Sequence, residues 1–176
     1  METKRLVIRR FDPDDVDDYY SFASDPQVTK YLRWGPHQSK EFTRDYMSEV
    51  LHAYENGSDT PWGIQLKGAN RIIGAVHVMD FDNLHRKANI GVLIAKAFWR
   101  IGYAEEALKA VFGYCFSDYS VNRMEAFCVL ENLKAIGLAE SLGMKCEGVL
   151  RQYLFQKGEF RDFKLFSLLA GEWTTM

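Results

Sequence analysis

The sequence predicts a mixed α/β fold with antiparallel hairpins and one parallel step, and three observations carry that expectation. The first is the stretch from Ala88 to Phe116. Ala88-Asn89-Ile90-Gly91-Val92-Leu93-Ile94 is rich in apolar and β-branched types and suits a buried strand. A turn at Trp99–Ala104 follows, and then Ala104, Ala107, Leu108, Val111, Phe112, Cys115 and Phe116 recur at the i, i+3, i+4, i+7 spacing of an amphipathic helix. The second is a further strand at Arg123–Leu130, which a helical crossover should place parallel to the first. The third is a pair of hairpin-type turns, Lys67-Gly68-Ala69-Asn70 and Gln156-Lys157-Gly158-Glu159.

Taken in order, Leu6-Val7-Ile8 reads as a first strand ended by Asp12-Pro13. A polar helix over about 14–23 should bury Val16, Tyr19, Tyr20 and Phe22, with Pro26 stopping it. Tyr31–Pro36 is a loop carrying two large aromatics. A second helix over about 39–55 presents Phe42, Tyr46, Val50, Ala53 and Tyr54 on one face, and Asn56-Gly57 caps it. Trp62, Ile64 and Leu66 alternate as a strand, with 71–79 as its partner. Asn132 reads as the N-cap of a helix whose apolar face is Ala135, Leu138, Ala139 and Leu142, closed by Gly143 and Met144 in a Schellman pattern. Two strands at about 145–156 and 160–170 end the chain. With no internal repeat or linker, residues 1–176 read as one domain.

Composition narrows the function classes. Hydrophobic content of 47% and charged content of 26% suit a globular protein, and a net charge of −2 leaves no electrostatic footprint for nucleic acid or an anionic membrane. Three cysteines, Cys115, Cys128 and Cys146, are too widely spaced for a local metal motif and suit a reducing compartment. The N-terminus lacks the apolar segment of a signal peptide, and no apolar run approaches membrane-spanning length. The expectation is a cytoplasmic protein with no metal. No P-loop, dinucleotide glycine fingerprint or nucleophile elbow is present.

A strand, a tight turn and a helix N-terminus in succession form an anion site, because the free amides of the first helical turn point outward along the macrodipole. Gly102 suits a turn needing an unusual dihedral or an unobstructed backbone. The turn resembles the coenzyme A-binding motif of the GNAT acetyltransferases, Gln/Arg-x-x-Gly-x-Gly/Ala, with Trp99, Gly102 and Ala104 at the three fixed places. The leading Trp99, then Gly-Tyr-Ala and Glu106-Ala107-Leu108, resemble the RimJ/RimL branch. Arg100 departs from that branch, which usually has a second glycine there. The resemblance runs from Arg5 almost to the end of the chain.

It implies the GNAT fold, a mostly antiparallel sheet with a central parallel splayed strand pair flanked by helices. It implies acetyl-CoA as cosubstrate, with the backbone of Val92, Leu93 and Ile94 pairing the pantetheine arm as an extra strand would. Around the pyrophosphate it places the amides of Arg100, Ile101, Gly102, Tyr103 and Ala104, with Trp99 opening the cofactor motif. Asn132 matches an asparagine that often reaches the coenzyme, although a plain N-cap explains it equally. Several family members place a glutamate and a tyrosine around that asparagine as base and acid; here those positions are Phe127 and Ala139. A glutamate frequent on the central strand is replaced by Asn89.

The remaining proton-transfer candidates are His77, which could act through water or simply be packed, and Tyr153, which could protonate a leaving thiolate or be a rim aromatic. Asp162 is expected to brace the last hairpin. With no cysteine where the motif places the acetyl group, direct attack by an amine in a ternary complex is expected. The acceptor expected is a protein N-terminal α-amine. A polyamine or antibiotic amine, or a coenzyme A-binding regulatory module without turnover, stand as alternatives, and a homodimer is left open.

Overall fold

The computed structural model describes residues 1–58 and 60–173. Within these described residues seven strands are ordered β1-β2-β3-β4-β5-β7-β6, with β1 at Leu6–Arg9, β2 at Trp62–Leu66, β3 at Ile72–Asp82, β4 at Lys87–Ile94, β5 at Arg123–Val129, β6 at Lys145–Gln156 and β7 at Glu159–Leu169. Among the described residues five α-helices accompany them: α1 at Val16–Ala23, α2 at Pro26–Thr29, α3 at Lys40–Glu55, α4 at Tyr103–Ser117 and α5 at Leu133–Ser141. The backbone divides into two compact units, and β3, β4 and α4 each contribute to both. One unit comprises Met1–His77 with Val92–Ala107; the other comprises Val78–Gly91 and the chain from Leu108 on.

In the first unit β1 pairs antiparallel with β2, Leu6 opposite Leu66 and Ile8 opposite Ile64, and β2 pairs antiparallel with β3. Its core joins Phe11, Val16, Tyr19, Phe22, Met47, Val50, Ile72, Ala75 and Leu93. The first helix opens as a 3-10 turn at Pro13–Asp15, capped by the Asp12 side chain, and buries Val16, Tyr19 and Phe22 as expected, with Tyr20 only half-buried.

Two expectations need correction here. Pro26 does not simply stop a helix: it opens α2 at the position where its missing N–H is no loss, with the Asp25 side chain accepting from the Gln27 amide at 2.7 Å. The buried face of α3 is Thr43, Met47 and Val50, while Phe42 stays 55% exposed. The helix is rotated so that a polar Thr43 faces inward, because its hydroxyl meets the buried His37 Nδ1 at 2.8 Å.

In the second unit β4 and β5 run parallel, as the crossover required, with Lys87 opposite Arg123 and Asn89 opposite Glu125. That pairing covers only the starts of the strands, although β4 continues to Ile94 and β5 to Val129. β5 pairs antiparallel with β7, and β7 with β6. The β6–β7 hairpin closes through Lys157 (φ 53°) and Gly158 (φ 89°), the two left-handed residues of a type I′ turn. Asn132 caps α5, accepting from the Ala135 amide at 3.3 Å. At its other end the Met144 amide reaches Ala139 O and the Gly143 amide reaches Glu140 O, the two bonds of a Schellman motif. The buried face of α5 keeps Ala139 and Leu142 of the expected stripe and adds Ile136, whereas Ala135 and Leu138 are only half-buried.

Candidate functional site

The turn between β4 and α4 is built by its own backbone. After Ile94 the chain makes a 3-10 turn at Lys96–Phe98, and Trp99 is extended. Arg100 then takes φ 63° and Gly102 φ 86°, both left-handed. Glycine takes that region freely, whereas an L-residue such as Arg100 does so at a cost of about 1–2 kcal/mol. The position where the branch that the turn resembles usually carries a second glycine is thus one whose conformation favours glycine. The first helical bond of α4 runs from the Glu106 amide to Gly102 O at 3.1 Å. The amides of Gly102, Tyr103, Ala104 and Glu105 consequently precede the helical ladder.

Trp99 has a visible structural task. Its indole Nε1 donates to Ile94 O at 2.7 Å, closing the loop from 94 to 99, and the Ala95 amide donates to Ile73 O at 2.7 Å. β4 therefore leaves the strand in a fixed direction. At this point β3 and β4 approach unusually closely. A Cβ on Gly74 would lie 2.3 Å from Leu93 O and 3.1 Å from Ile94 Cα. Sequence reasoning placed Gly74 in a strand and saw no task for it, because the backbone that crowds it lies about twenty residues away in the chain.

The N-terminal end of α4 is fastened to the residues just before β1. The Glu106 carboxylate accepts from Thr3 Oγ1 at 2.6 Å, from the Arg5 amide at 2.8 Å and from Arg5 Nε at 2.6 Å. Burial alone would raise the Glu106 pKa, but these bonds outweigh it and hold the carboxyl below its ordinary value. The Arg5 guanidinium also donates from Nη1 to Ile101 O at 3.1 Å and stacks on the Tyr103 ring, 4.5 Å from its centroid. Neither Arg5 nor Glu106 was singled out as a site residue, since a strand-leading arginine and a first-turn glutamate look like ordinary surface charges.

His77, at the end of the first unit's share of β3, is half-buried, and burial lowers its pKa from 6.5 to about 4. It is neutral at pH 7 and only weakly basic. As pH falls below 6.5 the unfolded chain takes up a proton that the folded chain resists until about pH 4. Stability should therefore decline over that interval, by about 2 kcal/mol allowing for the partial exposure. His37 is also lowered by burial and acts in the same direction. The difference between wild type and His77→Gln in urea midpoint, followed from pH 7 to pH 4, isolates the His77 share. Parallel curves would show that this imidazole is not the source.

In the second unit, Tyr153 is 44% exposed and stacks on Phe127, with ring centroids 5.4 Å apart and planes within 4°. It also meets Phe163 edge-on. It sits where β6 leaves register between Leu150 and Leu154, beside Gln152 at φ 49°. Asp162 Oδ1 accepts from the Gln152 amide at 2.7 Å, bracing this irregularity as expected. Phe127 and Ala139 carry no ionisable group, and Ala139 is buried. Asn89 donates to Asp80 Oδ2 at 2.6 Å. Cys115 and Cys128 are buried, and burial pushes the Cys128 thiol up to about 11, away from thiolate chemistry at neutral pH. Among the described residues no helix is long and apolar enough to cross a membrane.

Comparison with known proteins agrees with this layout. Residues 5–145 match the sequence profile described as an acetyltransferase (GNAT) domain. An N-acetyltransferase of Bacillus licheniformis named p20, itself uncharacterized, is 32% identical over 171 residues, covering 97% of this chain and 96% of that one. YdaF of Bacillus subtilis, provisionally named a ribosomal N-acetyltransferase, is 31% identical over 174 residues, with 97% and 94% covered. More distantly, at 21% identity, a protein of Vibrio cholerae is named a spermidine N(1)-acetyltransferase. Among solved structures, a GNAT-family acetyltransferase from Bacillus anthracis superposes with a TM-score of 0.88 at 26% identity, covering 98% of this chain and 99% of that one. The fold, the turn and the profile converge, and the chain belongs to the GNAT acetyltransferase family.

Proposed function

We propose that this chain transfers an acetyl group from acetyl-CoA to the α-amine of a protein N-terminus, by direct attack of the neutral amine on the thioester in a ternary complex. The observation that carries the reading is the passage of β4 into a turn with two left-handed residues and then into the N-terminus of α4. In this reading the backbone of Val92, Leu93 and Ile94, beyond the part of β4 that β5 pairs, takes the pantetheine arm. The amides from Arg100 through Ile101, Gly102 and Tyr103 to Ala104 take the pyrophosphate, and Trp99 shapes the loop that leads there. Asn132 caps α5 and reaches the coenzyme through its remaining amide. His77 relays through water, and Tyr153 donates to the leaving thiolate. The profile's passage through both compact units supports treating the chain as one acetyltransferase domain. The thiols of Cys115, Cys128 and Cys146 suit a reducing compartment and support a cytoplasmic enzyme.

The choice of acceptor rests on proton affinity. No carboxylate stands at Phe127 or Asn89, and His77 is a weak base. Supplying a neutral α-amine of pKa near 8 at pH 7 costs about 1.4 kcal/mol, whereas a lysine amine near 10.4 costs about 4.6 kcal/mol. The first is within reach of a water relay; the second calls for a placed base or strong desolvation.

The test is a competition between peptides with free and blocked N-termini, each carrying one lysine. The free peptide should be acetylated at least tenfold faster across pH 7 to 9. Equal rates would refute the α-amine preference. Faster turnover of spermidine than of either peptide would favour the polyamine reading, which the distant Vibrio cholerae relative supports. Thiol release with none of them would favour a binding module without turnover.

A further inference from the structure

We infer that Arg5 is a positioning residue for the phosphate-binding turn, one that sets donor affinity through the phosphates of the donor and not through its thioester arm. The inference rests on the site proposed above and deepens it. One guanidinium holds three parts of the turn at once: Ile101 O at 3.1 Å, the Tyr103 ring at 4.5 Å and the Glu106 carboxylate at 2.6 Å.

The contact to Ile101 O has a directional consequence. In a planar trans peptide the N–H points opposite to the C=O. With Ile101 O turned toward Arg5, the Gly102 N–H is turned away from it, and the amides of Tyr103 and Ala104 follow in the first turn of α4. Without that hold, the Ile101–Gly102 peptide, in a segment where Arg100 and Gly102 are both left-handed, is free to flip and present its carbonyl instead. A carbonyl oxygen in that place repels an anion.

Charge acts in the same sense. Glu106 puts a carboxylate in the first turn of α4, where its negative charge would repel an incoming pyrophosphate. Arg5 neutralises it in a pair 2.6 Å long, and Thr3 Oγ1 and the Arg5 amide occupy its other oxygen. Arg5 thus fixes the peptide and offsets the Glu106 charge, Glu105 being the other acidic residue of that turn. Lysine could do only the second, because an ammonium lacks the planar fork that reaches a carboxylate, a carbonyl and a ring face together.

The experiment compares two donors on the full chain by titration calorimetry. Acetyl-CoA carries the phosphates and S-acetylpantetheine carries none. Arg5→Gln should weaken acetyl-CoA binding tenfold or more while leaving S-acetylpantetheine within twofold of wild type. Arg5→Lys should lie between Arg5→Gln and wild type for acetyl-CoA, and it serves if Arg5→Gln does not fold. Equal weakening of both donors would reduce Arg5 to a structural brace and overturn the inference. So would an Arg5→Lys variant indistinguishable from wild type. A wild-type protein that fails to bind acetyl-CoA would overturn the proposed function itself, and this inference with it.

Discussion

Replacing Gly74 by alanine is expected to lower the stability of this protein by about 3 kcal/mol and to abolish most donor binding. The added Cβ would sit 2.3 Å from Leu93 O, 2.8 Å from Ile94 Cδ1 and 3.1 Å from Ile94 Cα. Two of those three atoms are backbone, so no rotamer change relieves the clash, and β3 and β4 must move apart. Overpacking of this kind costs about 1–3 kcal/mol. The hydrogen bond from the Ala95 amide to Ile73 O, 2.7 Å long, would be stretched as well, adding about 1 kcal/mol. For a chain of this size the sum lowers the melting temperature by roughly 6–12 °C. The backbone that moves is that of Leu93 and Ile94, proposed to pair with the pantetheine arm, so acetyl-CoA affinity should fall together with stability. Gly91→Ala is the matched control. Its Cβ would meet only the flexible end of Met79, at 3.3 Å, and the change should be small. A Gly74→Ala protein that melts within 2 °C of wild type would refute the argument from close approach.

Gly102→Val should weaken acetyl-CoA binding tenfold or more, about 1.4 kcal/mol. The cause is conformational, not steric. A Cβ at this position meets nothing closer than Arg5 Nη2 at 3.5 Å, which is ordinary contact. But Gly102 sits at φ 86°, a region a β-branched residue enters only with strain. Valine would therefore pull the turn out of its left-handed form and turn the Gly102 amide away from its present direction. Asparagine tolerates that region better, so Gly102→Asn should retain more affinity than Gly102→Val. Calorimetry showing unchanged affinity in a folded Gly102→Val protein would rule out this turn as the phosphate site.

Much of this architecture was legible from the chain alone. Periodicity of two or 3.6 located the strands and helices. The crossover from 88–94 through α4 to 123–130 fixed a parallel pair, and the Asn132 cap and the Gly143 Schellman turn were readable because capping is local chemistry. The turn at Trp99–Ala104 was legible for the same reason: a glycine between a strand and a helix announces its own dihedral. Helix rotation was not so readable. A stripe of apolar residues does not show that Thr43 turns inward to meet His37, or that Ile136 is buried while Leu138 is only half-buried.

What the sequence by itself determined is most of the local conformations and, through the motif, the family and the position of the turn proposed to hold the phosphates. What only the tertiary structure decided is everything that depends on two distant segments meeting. Gly74 is a plain strand glycine until Leu93 O is found beside it. Arg5 and Glu106, a hundred residues apart, are plain charges until one guanidinium is seen to hold a carbonyl, a ring and a carboxylate. The lowered His77 pKa comes from burial, which exists only in the folded chain. The physical reason is common to the three: dihedral preferences and capping bonds are carried within a few residues, whereas close approach, ion pairing and desolvation belong to pairs that the folded chain alone brings together.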